Sequence, residues 1–370
     1  MGAWNLTILT TAGNDRAIWQ RHFDLLDPSR KDMHFLPGYA EIYEETYQEK
    51  AFLALFGNDD DFVMMPFLMR DIAVLPFLSG HPLPEAHFDI ANPYGYGGPL
   101  SRLSHPEHEE RLFLDFYASF QDFCTREHIV TEFFSLHPLL KNYTCVQKYG
   151  PGTLVERKPV VFIDLREDKE TIWRNISRGH QSSINKARRN GIEVVQEPVG
   201  GEPLRIFRKI YDETMERNNA EKKWRFPEDY FSNCARYLGN DRISLFSAKY
   251  QGETVSSYLM IHAFNTVYYH FGGSLERYFS LKANNFLMHE IALWAKSHHY
   301  TWFHLGGGQR KDDPLFQYKA GFSKSTAWLF TYQQIHDTKC YEHLCTLRDR
   351  WDQIHNVNGH NADFFPTYRR

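Results

Sequence analysis

The stretch from residue 243 to residue 330 most constrains what this chain can fold into. Two apolar, aromatic-rich runs, 243–250 and 254–263, are separated only by Gln251-Gly252-Glu253, which predicts two antiparallel strands joined by a tight turn. A third strand-like run covers 266–272, and residues 283–299 have helical apolar spacing. Phe303-His304-Leu305-Gly306-Gly307-Gly308 then reads as a short buried strand that ends in glycines. Pro314 to Phe322 reads as one or two helical turns carrying Lys319. Antiparallel strands, a helix, a strand and a short helix require a mixed sheet with helices against it, an α/β (α+β) class.

A chain of 370 residues exceeds one ordinary domain, so two are expected. The net charge of −4 argues against a general nucleic-acid binder and against DNA as a partner, so any polyanion must be met by a local basic patch. Five cysteines without a C-x-x-C pair suit reduced thiols and give no zinc or disulfide pattern. His289-Glu290 lacks the second histidine of a zinc-protease motif, so no metal is expected. The N-terminus lacks a basic region followed by an apolar core. Residues 254–275 contain no Asp, Glu, Lys or Arg, yet they are polar and Asn265 breaks them in the middle, so a hairpin is expected there and no transmembrane segment. Together these predict a cytoplasmic location.

The first half repeats this order loosely. Apolar runs at 51–57 and 62–70 flank Asn58-Asp59-Asp60-Asp61 as a hairpin, with Arg70 closing the second strand. Asn92-Pro93-Tyr94-Gly95-Tyr96-Gly97-Gly98-Pro99 predicts a tight loop where backbone comes close to something. An amphipathic helix over 108–128 and a strand over 129–136 follow. A boundary is expected near Tyr149-Gly150-Pro151-Gly152, giving domains 1–152 and 153–337, with a C-terminal helix and tail over 338–370.

Past that boundary, helical spacing predicts a helix that starts near 167 and continues through Ser177 to Asn190, stopped by Gly191. From Trp173 it carries Arg174, Arg178, Lys186, Arg188 and Arg189 with no acidic residue before Glu193. Such a face can grip the phosphates of a nucleotide, a sugar diphosphate or a tRNA end, or can be an ordinary wet helix surface.

Trp173-Arg174-Asn175-Ile176-Ser177 through Asn185-Lys186-Ala187-Arg188-Arg189-Asn190-Gly191 resembles the helix-then-strand signature of the FemA/FemB/FemX family. Leu305-Gly306-Gly307-Gly308 followed by Phe316-Gln317-Tyr318-Lys319-Ala320-Gly321-Phe322 resembles the same family's strand end and aromatic-lysine stretch. The resemblance covers most of 155–335 and is weaker over 35–135, where Met65-Pro66-Phe67-Leu68-Met69-Arg70 and the Asn92–Pro99 loop resemble segments of relatives. It implies two tandem acetyltransferase-type (GNAT) modules, a degenerate first and a catalytic second. It also implies an aminoacyltransferase of peptidoglycan or cell-wall biogenesis, moving an amino acid from aminoacyl-tRNA to an amine on a small-molecule or lipid-linked precursor.

On this resemblance Lys319 stabilises the charge that builds on the reacting ester, and Tyr318 stacks on an adenine. Without it, Lys319 reads as a solvated surface lysine and Tyr318 as a core aromatic. Gly306 and Gly307 bring bare backbone to the same place. Arg178, Lys186, Arg188 and Arg189 are the candidate phosphate grip, while Arg70, Tyr94 and Tyr96 are candidates for an acceptor pocket. The turn over 277–285 has no glycine, which disfavours a pyrophosphate cradle for CoA, and no tightly bound cofactor is expected. The donor stays open between aminoacyl-tRNA and acyl-CoA, as does contact with a membrane surface. The alternatives are an acyl-CoA- or acyl-carrier-dependent N-acyltransferase acting on an amino sugar, and a non-catalytic double module binding a nucleotide sugar or a partner.

Overall fold

The computed structural model describes residues 4–80, 83–221, 224–308, 313–357 and 363–370. Residues 1–3, which the targeting reading used, and 358–362 of the expected tail lie outside these. The chain forms two compact units: the first holds the chain up to Arg30, His34–Arg157 and Leu329–Arg370, and the second holds Lys31–Met33 and Lys158–Trp328.

In the first unit, β1 (Asn5–Thr10), β2 (Lys50–Gly57), β3 (Asp61–Asp71) and β4 (Phe88–Ala91) run antiparallel in that order. β5 (Leu100–Leu103) pairs with the start of β3, and β6 (Ile129–Ser135) lies parallel to β4. Helices α1 (Gly13–Leu25) and α2 (Pro37–Tyr47) separate β1 from β2. Helix α3 (Glu109–Arg126) makes the crossover that a parallel neighbour requires. Its apolar stripe, Leu112, Phe113, Phe116, Phe120 and Phe123, packs on Ala54, Phe56, Val63, Met65 and Phe67, and this is the unit's core. Helix α4 (Tyr143–Tyr149) then leads to β7 (Thr153–Asp164), which leaves the first unit at Arg157 and enters the second.

The second unit continues with α5 (Lys169–Asn175), α6 (Arg178–Arg189), β8 (Glu193–Glu197), α7 (Gly201–Arg217) and α8 (Tyr230–Leu238). Then come β9 (Ile243–Tyr250), β10 (Glu253–Ala263), β11 (Thr266–Ser274), α9 (Ala283–Ser297), β12 (Trp302–Gly306) and α10 (Pro314–Ala320). Its strands follow the order β8-β9-β10-β11-β12-β7, antiparallel except for the parallel pair β11 and β12. Strand β13 (Thr326–Ile335) begins in this unit and finishes in the first, where Thr331 to Ile335 pair antiparallel with β6. Helix α11 (Thr338–Ile354) follows.

The two strand orders therefore match one for one, β1-β2-β3-β4-β6-β13 and β8-β9-β10-β11-β12-β7. Each fifth strand is parallel to the fourth and is reached through one long helix, α3 or α9. Each sixth strand comes from the chain segment that follows the other unit's first five. This is the mixed, tandem architecture the sequence order implied, with the closing strands exchanged.

Several local features differ from the sequence pattern. The helix expected to run unbroken from 167 to 190 is two helices. Ile176 is extended (φ −72°, ψ 134°), and Ser177 caps α6 by accepting a hydrogen bond from the N–H of His180 at 3.3 Å. A serine hydroxyl that can satisfy a free amide favours starting a helix over continuing one. Strand β1 and helix α4 were not expected. The segment 338–370, set apart by its polar tail, belongs to the first unit, because Leu344 and Tyr368 are buried with Ile72, Phe77, Leu78 and Val130.

Candidate active site

Strand β12 is buried at Phe303, His304 and Leu305 and ends at Gly306, whose φ of +78° suits only a residue without a Cβ. That left-handed turn swings the carbonyls of Gly307 and Gly308 toward two lysines. The Nζ of Lys319, on the last turn of α10, donates to the Gly307 oxygen at 2.8 Å, and the Nζ of Lys158, at the second-unit end of β7, donates to the Gly308 oxygen. A Cβ on Gly306 would lie 3.2 Å from Lys319 Nζ, and one on Gly307 would lie 3.0 Å from the Pro159 oxygen. Bare backbone is required here because cations and a neighbouring strand come this close.

Helix α10 holds its place through Asp313, whose carboxylate accepts from the N–H of Phe316 at 2.7 Å and caps the first turn. At its other end His180, one turn into α6, meets the Tyr318 carbonyl oxygen at 2.9 Å through Nε2, and Ser177 N–H donates to Gly321 O at 2.8 Å. The His180 ring also packs edge-on to Phe322 at 4.5 Å. The start of α6 thus fixes the end of α10, which explains why the segment around Ser177 breaks where it does. Burial holds the His180 imidazole below its usual pKa, against the raising effect of the Tyr318 carbonyl.

Lys319 is only 7% exposed. Its ammonium lies over the Tyr269 ring, 5.5 Å from the centroid. Burial, together with the positive charge of Lys158, lowers its pKa to about 7, while Asp313 pulls the other way. Tyr318 turns its hydroxyl to within 3.4 Å of the Tyr258 hydroxyl, and burial pushes its pKa up. Tyr258 and Tyr269 meet edge to face at 5.0 Å, so three phenol rings stand by the lysine.

The structure brings Lys319, Tyr318, Gly306 and Gly307 together. The proposed phosphate grip does not converge. Arg178 is the first residue of α6, whereas Lys186, Arg188 and Arg189 sit on its last turn, about 12 Å or more further along the axis at helical rise. Arg188 is committed locally, pairing with Glu290 at 3.7 Å and lying over Phe286.

In the first unit, Arg70 pairs at 2.6 Å with Asp89, which is fully buried. Tyr94 and Tyr96 lie in a loop that is tied down from within. Asn142 donates to Gly97 O and Pro99 O, Asn92 accepts from Ser135 N–H, and Tyr39 hydroxyl donates to Tyr94 O. Tyr94 is exposed, and Tyr96 packs against His34 and His137.

Lys158, Tyr258, Tyr269, His180 and Asp313 were missed as site residues. Lys158 sits in a charged pair before Pro159 that reads as an ordinary strand start, and the tyrosines read as strand aromatics. Only Asp313 carried a signal, an aspartate directly before a proline-led helix. A small cleft lined by Asp164, Glu167, Asn175 and Ser323 among others does not include Lys319. Among the described residues no helix is long and apolar enough to cross a membrane.

Residues 178–320, which include Lys319, Tyr318, Gly306, Gly307 and His180, match the acetyltransferase (GNAT) domain family. No curated protein sequence matches the chain significantly. Among solved structures, FemX superposes with a TM-score of 0.65 at 13% identity, covering 88% of this chain and 97% of that one. A tandem GNAT protein from the clavulanic acid biosynthesis pathway gives 0.52 at 10% identity, over 90% and 99%. The C-terminal domain of a putative lysylphosphatidylglycerol synthetase from Agrobacterium fabrum gives 0.51 at 13%, over 88% and 93%. Residues 178–320 thus carry an acetyltransferase (GNAT) domain, and the chain shares its fold with FemX.

Proposed function

We propose that the chain transfers an aminoacyl or acyl group to an amine of a cell-envelope or polysaccharide precursor, with Lys319 meeting the charge that develops on the reacting carbonyl oxygen. The amine nitrogen attacks the carbonyl carbon of an ester or thioester. The bond to the leaving oxygen or sulfur then breaks, and the proton lost by the amine goes to that leaving atom.

The observation that carries the reading is the environment of the Lys319 ammonium. Among the described residues one N–H is spent on Gly307 O and one face lies toward Tyr269. Burial makes that charge costly in the resting site. An oxyanion arriving there would meet a desolvated cation, whose attraction is far stronger than it would be in water.

The donor we favour is an aminoacyl ester. The connection from β11 to α9 is a short 3-10 turn, Glu276–Leu281, with Lys282 in the left-handed region and no glycine, so it lacks the usual amide cradle for a CoA pyrophosphate. The name of the Agrobacterium fabrum neighbour accords with a lipid-linked acceptor. The second reading, an acyl-CoA donor, is favoured by the GNAT domain match itself.

Labelled aminoacyl-tRNA and labelled acyl-CoA, each offered with an amine-bearing precursor, separate the two, since ribonuclease abolishes transfer only from the first. Lys319→Ala tests the role of the lysine under either donor. A loss below about threefold, under about 0.7 kcal/mol of barrier, removes it from the chemistry.

A further inference from the structure

Away from the lysine cluster, the first unit gathers a carboxylate and two imidazoles around one point. Asp61, the first residue of β3, is 2% exposed. Its Oδ2 lies 2.9 Å from the Nδ1 of His105 and 2.9 Å from the Nδ1 of His108, while its Oδ1 accepts from the His105 N–H at 3.0 Å. The histidines stand three residues apart in the turn that leads into α3, their rings 5.1 Å apart, and the three ligand atoms lie within 4.8 Å of one another.

We propose that Asp61, His105 and His108 form a binding site for one divalent transition-metal ion of the zinc type. Three such ligands at about 2.0–2.1 Å in a tetrahedron have edges of about 3.3 Å, so the observed 2.9 Å contacts open by only a few tenths of an ångström to admit the ion. Two imidazole nitrogens with one carboxylate oxygen suit zinc, cobalt or nickel rather than magnesium or calcium, which take oxygen sets. The buried carboxylate is oriented in advance by the His105 backbone amide. Asp60 and Glu107 lie close enough to act electrostatically on His105 and add negative field. His105 is half exposed, so an ion has a path in and room for water at its remaining positions. Trp4 packs edge-on to His108 at 5.6 Å and offers a built-in reporter.

The test is titration of the EDTA-treated full chain with cobalt(II) by visible absorption and with zinc by calorimetry, together with His105→Ala, the double variant His105→Ala/His108→Ala, and Asp61→Asn. The expected result is one ion per chain, quenching of Trp4 fluorescence by cobalt that is lost in Trp4→Phe, and affinity weakened at least about tenfold by His105→Ala and more by the double variant. The half-exposed His105 keeps the test valid if Asp61→Asn fails to fold. Absence of binding in the wild-type chain, or binding unchanged in the double variant, overturns the proposal.

Discussion

The Nζ of Lys319 and the carbonyl oxygen of Gly307 stand 2.8 Å apart, joining the last turn of α10 to the glycine end of β12. The ammonium is held by backbone rather than by a carboxylate, so its charge is positioned without being cancelled. Asp313, whose charge acts on it, is occupied in capping the same helix.

The pH dependence of transfer follows from that geometry. With a pKa near 7, Lys319 is protonated below that value and loses its charge above it. If the ammonium stabilises the oxyanion, the rate falls as pH rises through about 7. In Lys319→Arg, whose guanidinium stays charged, that falling limb moves to higher pH. Rate profiles of the two proteins with the same acceptor make the comparison. A limb that rises through 7 in the wild type and vanishes in Lys319→Arg would instead assign the neutral amine as a base.

Stability should run the opposite way from activity. The unfolded lysine keeps its ordinary value of 10.5, so between about 7 and 10.5 the unfolded chain binds the extra proton and folding stability rises with pH. Lys319→Met removes this dependence and is expected to be more stable at pH 7 by on the order of 2 kcal/mol or more, while transfer is lost. Denaturant unfolding of both proteins at pH 7 and pH 9 gives the answer, with the gap between them narrowing at the higher pH.

Gly306→Ala places a methyl group in left-handed backbone and 3.2 Å from the ammonium. The backbone alone costs about 1–2 kcal/mol. The lysine must also shift, so transfer should fall by about tenfold or more, beyond what the stability loss explains. Kinetics at a temperature where both proteins are fully folded separate the two effects.

Arg70 was a candidate for binding a carboxylate or phosphate, and it has a carboxylate of its own. Asp89 is fully buried and also receives Arg369 and the Tyr368 hydroxyl at the end of the chain. Arg70→Ala leaves that charge short of a partner and should cost about 3 kcal/mol of stability. The KM for acceptor should stay the same in protein that remains folded. A selective rise in KM without loss of stability would return Arg70 to the binding site.

What could be read from the sequence was local. The β9–β10 hairpin, the helix before β12 and the glycine strand end each follow from periodicity or turn chemistry within about twenty residues, whereas the residues alone made Lys319 a surface lysine and only the family resemblance singled it out. The missed pieces depend on distant partners. Lys158 gains meaning only because β7 lies beside β12, with Ile163 opposite Phe303. The break at Ser177 pays off only because α6 must meet Gly321. Arg70 looked free until Asp89 was placed one strand away by the β3–β4 register. Helical spacing put Arg174 and Arg178 on one face, but a single extended residue, Ile176, sets them on different helices.

The crossed assignment of β7 and β13 limits how this polypeptide can be dissected. A fragment ending at residue 152 would lack the strand that borders β6, and its complement would begin with residues that the first unit claims. Neither piece should yield a well-behaved sample alone. Co-expressed, they are expected to recover as a stoichiometric complex. Gene fusions or deletions that separate the two halves are therefore poor tools for asking which half does what, and point substitutions are the better instrument.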